Sequence, residues 1–296
     1  MINNEEIKTL DPTSISQQEL HGYLLSAVAP RPICFASTVN KDGKVNLSPF
    51  SYFNLFSVNP PVMIFSPSRR GRDNTTKHTL ENVLEVKETV INIVNYDMVE
   101  QMSLSSTEYD DGVNEFVKAG FTQVASDKVQ PPRVGEAPVA FECVVDKVIA
   151  LGDGPGAGNL VLAKVVRIHI NKAYLDADGK LDTPKLNLVA RMGGNWYCRA
   201  SGDALFEIPK PIRTKGIGVD MLPDAVRNSS VLTGNNLGRL GNLEQLPTKE
   251  AIDRIAAHPE VKTLMEGAMN NTKIHMLAQQ WLENDKVEDA LALLHI

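Results

Sequence analysis

Residues 46–53 read NLSPFSYF, and the way this stretch alternates decides the fold class. As an ordinary half-buried strand it would send Leu47, Phe53 and Leu55 to a core and Ser48 and Asn54 to solvent, because successive side chains point to opposite faces. Pro49 removes a ladder donor from within it. That places the strand at an edge or a bulge and frees backbone groups for other partners. Just upstream, Ile33–Val39 is an apolar strand and Asn40-Lys41-Asp42-Gly43 is a hairpin turn, with Gly43 available for a positive φ. Lys44–Asn54 is then the return strand.

Working outward, Pro60-Pro61 breaks the chain and Val62–Ser66 is a short buried strand. Lys77–Lys87 has helical spacing, with Leu80, Val83 and Leu84 on one face. Thr89–Asn95 returns to β, and Val99–Ser106 and Val113–Ala119 read as short helices around the polar loop TEYDDG. Val139–Leu151 and Asn159–Asn171 are long β-branched runs joined by GDGPGAG, a hairpin. Leu186–Arg191 and Asn195–Arg199 follow around Gly193-Gly194, and an entry arm carries a short helix around Ser16–Ser26. Many strands, few helices and no βαβα alternation predict a mainly β fold, an antiparallel barrel rather than a doubly wound sheet.

Composition shifts near residue 200, so residues 1–200 are expected to form one domain and 201–296 an extension. Residues 205–247 are rich in Pro, Gly and Asn and read as irregular. Thr248–His258, Glu260–Asn270 and Thr272–Leu294 read as helical, the last ending in an amphipathic run.

The 296 residues are 43% hydrophobic and 22% charged, enough apolar material for a core. Thirty basic against 36 acidic residues give a net charge of −6, with no footprint for nucleic acid or an anionic membrane. No apolar run approaches the ~20 residues that span a bilayer. The polar, acidic start MINNEEIKTLDPTS is unlike a signal peptide, so a cytoplasmic location is expected. Cys34, Cys143 and Cys198 are odd in number, lack CxxC spacing and sit in strand-like runs, as buried thiols do.

The chemistry-bearing motifs are few. GDGPGAG is followed by a β-branched run instead of a helix, so it is a hairpin connection and not a dinucleotide fingerprint. Neither GxxxxGK nor GxSxG occurs, and the six histidines form no HxH or HxxxH pair, so no metal site is expected. Lys77-His78-Thr79 opens a helix, where unpaired N–H groups and the dipole favour an anion, and Arg69, Arg70 and Arg72 precede it in SPSRRGRDN. With the serine-aromatic stretch, this describes a cradle for a flat, hydrogen-bonding ring with a phosphate at its far end.

The ordered set Arg31-Pro32-Ile33, Ser37-Thr38, Lys41-Asp42-Gly43, Asn46–Asn54, Asn59-Pro60-Pro61, Lys77-His78-Thr79 with Asn82, and Arg191-Met192-Gly193-Gly194 with Tyr197 resembles the flavin reductase-like family of FMN-binding split barrels. The resemblance covers roughly residues 20–200, one domain's worth. It implies FMN in the cleft of a split barrel, commonly at a homodimer interface. Ser48, Pro49, Phe50, Ser51, Tyr52 and Phe53 would line the ring, partly through main-chain N–H groups. Ser37 and Thr38 would hold the ribityl–phosphate side, Ser66, Arg72, Lys77 and Thr79 the phosphate, and Ser103 and Ser105 would border the ring from another side. The family's usual Lys-Asp-Thr step has His78 in the middle here. The implied activity is hydride transfer from NAD(P)H to the flavin and on to an acceptor, with no catalytic side chain required. The alternative is an FMN-bearing electron-transfer protein without NAD(P)H turnover. Tyr197 reads equally as cleft or core, and the extension as a packing arm that widens the dimer interface or a lid over the flavin.

Overall fold

The computed structural model describes residues 6–208, 211, 213–265 and 271–296. Two compact units divide the chain, Met1–Phe206 and Glu207–Ile296.

In the first unit α1 (Gln17–Ala27) starts at Ser16, whose hydroxyl accepts from the Glu19 amide. β1 (Arg31–Pro32), β2 (Cys34–Val39) and β3 (Val45–Phe50) follow. The β2–β3 turn closes as expected: Asn40 Oδ1 accepts from the Asp42 and Lys44 amides, and Gly43 takes a φ of 77°. Next come β4 (Phe53–Val58), β5 (Pro61–Phe65), α2 (His78–Glu85), β6 (Glu88–Ile93), α3 (Val99–Ser105) and α4 (Glu115–Ala119). A two-stranded pair, β7 (Gln123–Val124) and β8 (Arg133–Val134), precedes the long hairpin of β9 (Val139–Ala150) and β10 (Asn159–Ile170). The unit ends with α5 (Thr183–Leu186), β11 (Val189–Arg191) and β12 (Tyr197–Arg199), where β11 pairs with β1 on one side and β12 on the other.

Seven strands form one antiparallel sheet in the order β3-β2-β6-β9-β10-β5-β4. Its two edges, β3 and β4, are consecutive in the chain and separated only by the bend at Ser51-Tyr52. The single return strand expected over Lys44–Asn54 is therefore two strands. β2 begins at Cys34, which faces Phe50, so the ladder ends there and the chain crosses to the other edge.

The sheet curls strongly. In a flat sheet β3 and β5, five places apart, would be separated by about 24 Å. Instead the rings of Phe50 and Phe65 lie 5.2 Å apart. The edges come round toward each other without a ladder between β3 and β4 among the described residues. The barrel is open along that seam.

Both faces of β2 are buried. Cys34 and Ala36 look inward with Phe50, Phe65, Val161 and Ala163, where Leu80 and Val83 of α2 join them. Phe35 looks outward with Leu47, Met102 and Phe116, under α3 and α4. This period-2 division is what puts α2 over one face and α3 and α4 over the other.

The second unit is helical: α6 (Asp224–Arg227), α7 (Gly234–Gly241), α8 (Lys249–Ala256), α9 (Pro259–Met265), α10 (Asn271–Glu283) and α11 (Val287–Leu293). It has its own core, including Leu240, Ile255, Trp281, Leu282 and Leu291. Two expectations change. The supposedly irregular stretch 205–247, of which 209, 210 and 212 lie outside the described residues, contains α7, begun by a Thr233–Asn236 capping box. The run Thr272–Leu294 is two helices, because Asp285 takes a φ of 60° and the Lys286 amide returns to the Trp281 carbonyl, an αL stop. Of the helix expected over Glu260–Asn270, positions 266–270 lie outside the described residues.

Candidate functional site

The two segments singled out in the sequence meet at the start of α2. Lys77 Nζ stands 6.0 Å from the centre of the Phe50 ring. Asn46 Nδ2 donates to Thr79 Oγ1 at 2.9 Å, joining β3 to the first turn of the helix. Lys77 is the N-cap residue and its side chain makes no capping bond. Half-buried, it has no hydrogen bond or ion pair among the described residues. Burial is the main cause that pulls its pKa below the usual lysine value, Arg70 adds to the fall, and Glu108 opposes it. A partly desolvated ammonium at a helix N-terminus is a ready anion site.

The preceding loop is rigidly held. Ser66 is buried, and its hydroxyl accepts from the Asn159 amide at 3.1 Å. A Cβ on Gly158 would lie 2.9 Å from that oxygen, so the glycine permits the contact. The Arg69 amide donates to the Ala157 carbonyl and Asn74 Nδ2 to the Asp153 carbonyl, so GDGPGAG serves as the dock for SPSRRGRDN. Ser68 Oγ, in that same loop, is buried with no hydrogen-bond partner among the described residues. Such an orphaned hydroxyl is rare in proteins and calls for a partner.

The arginines differ. Arg69 is spent on Asn74, through Oδ1 at 2.7 Å and the carbonyl at 2.5 Å. Arg70 has only 15% of its side chain exposed and reaches Thr75 Oγ1 and the Thr76 carbonyl, immediately before Lys77. Arg72 is 71% exposed and pairs with Asp73 and Glu108. The Thr75 hydroxyl and amide, with Arg72, hold the Asp73 carboxyl down at about 2. Arg70, which the resemblance does not name, is the more buried guanidinium beside the helix start, with Arg72 next to it.

The remaining candidates separate by face. Thr38 is fully buried on the inner face and accepts from Asn82 Nδ2 at 3.0 Å. Ser37 points the other way, and its hydroxyl donates to the Pro132 carbonyl at 2.5 Å. It is not brought to Lys77, because neighbours in a strand cannot share a face. Ser48 and Phe50 lie on the inner face with Asn46, Pro49 on the outer one. Ser51 is half-buried at the bend, Tyr52 is exposed, and Phe53 packs on the inner core.

Main-chain donors follow the same alternation. The Leu47 amide points off the free edge and donates to Glu115 Oε2 at 2.9 Å. Every second residue shares that direction, so Ser48 and Phe50 direct theirs toward β2 and Pro49 has none. Ser51 follows at the bend, beyond the end of the strand.

Ser103 is exposed on α3, and the buried Ser105 turns its hydroxyl back to the Met102 carbonyl. Neither side chain bonds to the Lys77 group among the described residues. Tyr197 packs against the outer core, with the Arg191 guanidinium 4.5 Å from its ring centre.

Away from this place, Asp127, Glu142 and His169 set ligand atoms within 4.8 Å of one another. Glu142 is fully buried and accepts from the Asp127 and Lys128 amides and meets His169 Nε2 at 2.6 Å, while Asp127 pairs with Arg167. The carboxylate is thus already occupied by the protein. Hollows of about 440 and 530 Å³ lie in the helical unit, the first beside Arg254 and Glu288 and the second beside Lys273 and Met276.

The likeness to known proteins falls on the first unit. A family model described as "Flavin reductase like domain" matches residues 26–185. An uncharacterised protein of Aquifex aeolicus is 37% identical over 189 residues, 64% of this chain and 94% of that one. Nitrilotriacetate monooxygenase component B from Bacillus cereus superposes with a TM-score of 0.63 at 28% identity, over 68% of this chain and 98% of that one. A Shewanella frigidimarina protein described as a flavin reductase with split barrel domain shares the fold, with a TM-score of 0.57 at 24% identity over 67% of this chain and 95% of that one. About a third of this chain lies outside these alignments. The matched span contains β2 through β10, the seam at Ser51-Tyr52 and the whole Lys77 group, and on it the chain belongs to the flavin reductase-like family.

Proposed function

We propose that this protein binds FMN along the seam between β3 and β4 and acts as an oxidoreductase fed by NAD(P)H. One observation carries the reading: Lys77 stands at the Phe50 ring, so a phosphate held at the start of α2 would leave its ring against the serine-aromatic segment. Lys77 and Arg70, with the first amides of α2 and the orphaned Ser68 hydroxyl, suit one phosphate. That single anion site favours FMN. Thr79 and Thr38 act through Asn46 and Asn82, holding the helix to the sheet so that the cations stay in place. Ser48 and Phe50 offer an inward-facing wall, and the bend at Ser51 brings main-chain groups beside it.

A flavin held there would supply the redox chemistry, taking up a hydride equivalent from the nicotinamide donor and passing its electrons to an acceptor. The protein's part is to bind, orient and shield, and no side chain is assigned an acid or base role. A homodimer is proposed through the β4 edge, where Leu55, Phe56 and Val58 are 50%, 64% and 80% exposed. A cytoplasmic setting is proposed from the three unbridged cysteines. Among the described residues no helix is long and apolar enough to cross a membrane.

The test is the visible spectrum of the purified protein, with the released cofactor identified, followed by NAD(P)H oxidation. Bound FMN with turnover supports the proposal. FMN without turnover would give the electron-transfer reading instead, and a colourless protein that takes up no added FMN would end the flavin reading.

A further inference from the structure

Arg70 and Arg72 already hold an anion in this structure, and it belongs to the chain itself. Glu108 lies in the acidic stretch TEYDDG that follows α3. Its Oε1 accepts from Arg70 Nε at 3.2 Å and its Oε2 from Arg72 Nη2 at 2.8 Å. Arg70 in turn grips the Thr76 carbonyl, one residue before Lys77. One carboxylate therefore bridges the two guanidinium groups beside the helix start.

Building on the flavin reading, we propose that Glu108 is a built-in stand-in for the cofactor's phosphate, which must displace it from Arg70 and Arg72 in order to bind. A phosphate carries about −1.5 to −2 charges near neutral pH, so it cannot share the same guanidinium groups with a carboxylate without repulsion. Glu108 is free to leave. Its side chain is 39% exposed on a loop, where ion pairs are weak. The arginines would stay behind. Arg70 keeps Thr75 Oγ1 and the Thr76 carbonyl, and Arg72 keeps Asp73. Removing the Glu108 charge therefore frees cations that remain positioned, and affinity for the phosphate rises. The residue sets how tightly the flavin is held, and with it whether the cofactor stays or exchanges.

The experiment compares the full-length protein with Glu108→Gln, each titrated with FMN and with riboflavin, which has the same ring and no phosphate. Flavin fluorescence is the readout. The variant should bind FMN about fivefold more tightly, the scale of an exposed ion pair, and riboflavin equally. Unchanged or weaker FMN binding overturns the proposal and makes Glu108 a surface pair or a positioning residue. Equal tightening for riboflavin also overturns it, since the effect would then come from the loop and not the phosphate. Where riboflavin binds neither protein measurably, the FMN comparison alone decides. If neither protein takes up FMN, the flavin reading falls and this proposal with it. Normal FMN uptake without a difference removes this proposal alone.

Discussion

Asn82 Nδ2 donates to Thr38 Oγ1 at 3.0 Å, tying the middle of α2 to β2 through two buried side chains. Leu80 and Val83 settle which face of the helix is buried, but apolar contacts are non-directional and do not fix its register. The amide–hydroxyl pair does. Asn82→Ala should cost about 1–3 kcal/mol, because it removes a bond and leaves a buried hydroxyl with, among the described residues, the long contact to Asn46 Nδ2 at 3.5 Å. A fall in the urea midpoint at unchanged slope is the expected result, and an unmoved midpoint would deny the pair this role.

Lys77→Ala tests the anion site directly. A charge-assisted hydrogen bond is worth about 1.5–3 kcal/mol, so FMN affinity should drop by about tenfold to a hundredfold. Stability should hold or rise, since Lys77 is partly desolvated and its ammonium makes no hydrogen bond or ion pair among the described residues. Calorimetric titration with FMN reads the first effect and urea unfolding the second. An unchanged affinity would take Lys77 out of the site.

Much of this was legible because it is local. Asn40–Gly43 announces its turn by composition, and the Val139–Leu151 and Asn159–Asn171 runs announce their hairpin by β-branched length. Lys77-His78-Thr79 marked a helix start correctly. What escaped depends on partners distant in sequence. The strand break at Ser51-Tyr52 follows from where the β2–β3 ladder ends, and which face of β2 meets α2 follows from its pairing with β3 and β6, neither of which a window of residues contains. Glu115 caps an edge amide 68 positions away, and Glu108 meets Arg70 from 38 positions away. No periodicity marks such carboxylates, and in sequence they look like solvated loop charges. In the helical unit, the αL stop at Asp285 was hidden inside a run of good helix formers.

Glu115 gives the fold a pH dependence. Burial pushes its carboxyl up, and the Leu47 amide and His78 only partly pull it back. With the folded value above the unfolded one, near about 4.3, the folded chain binds more protons inside that window. This group's contribution therefore falls as pH rises through the window, and the buried charge is a cost above it. Glu115→Gln keeps an acceptor for the Leu47 amide and removes the charge. Its stability relative to the parent should grow as pH rises from about 4 toward neutrality, then level off. Urea curves across that range decide it, and an advantage that shrinks with rising pH contradicts the assignment.

The β4 edge is the place to test assembly. A strand at a sheet edge presents unpaired backbone groups, and charged residues normally guard it. Here Phe56 and Val58 stand mostly exposed and Pro61 follows the turn on β5, so the guard is apolar and invites a matching surface. Burying a phenylalanine is worth about 1.5–3 kcal/mol, and a lysine in its place also carries a charge that resists desolvation. Phe56→Lys should thus weaken a dimer by at least about tenfold. The monomer's fold should survive, because the ring is 64% exposed and supports little of its own core. Sedimentation equilibrium across a concentration series separates the cases. A parent dimer with a dissociating variant supports the edge as the interface, and equal association of both proteins moves the interface elsewhere.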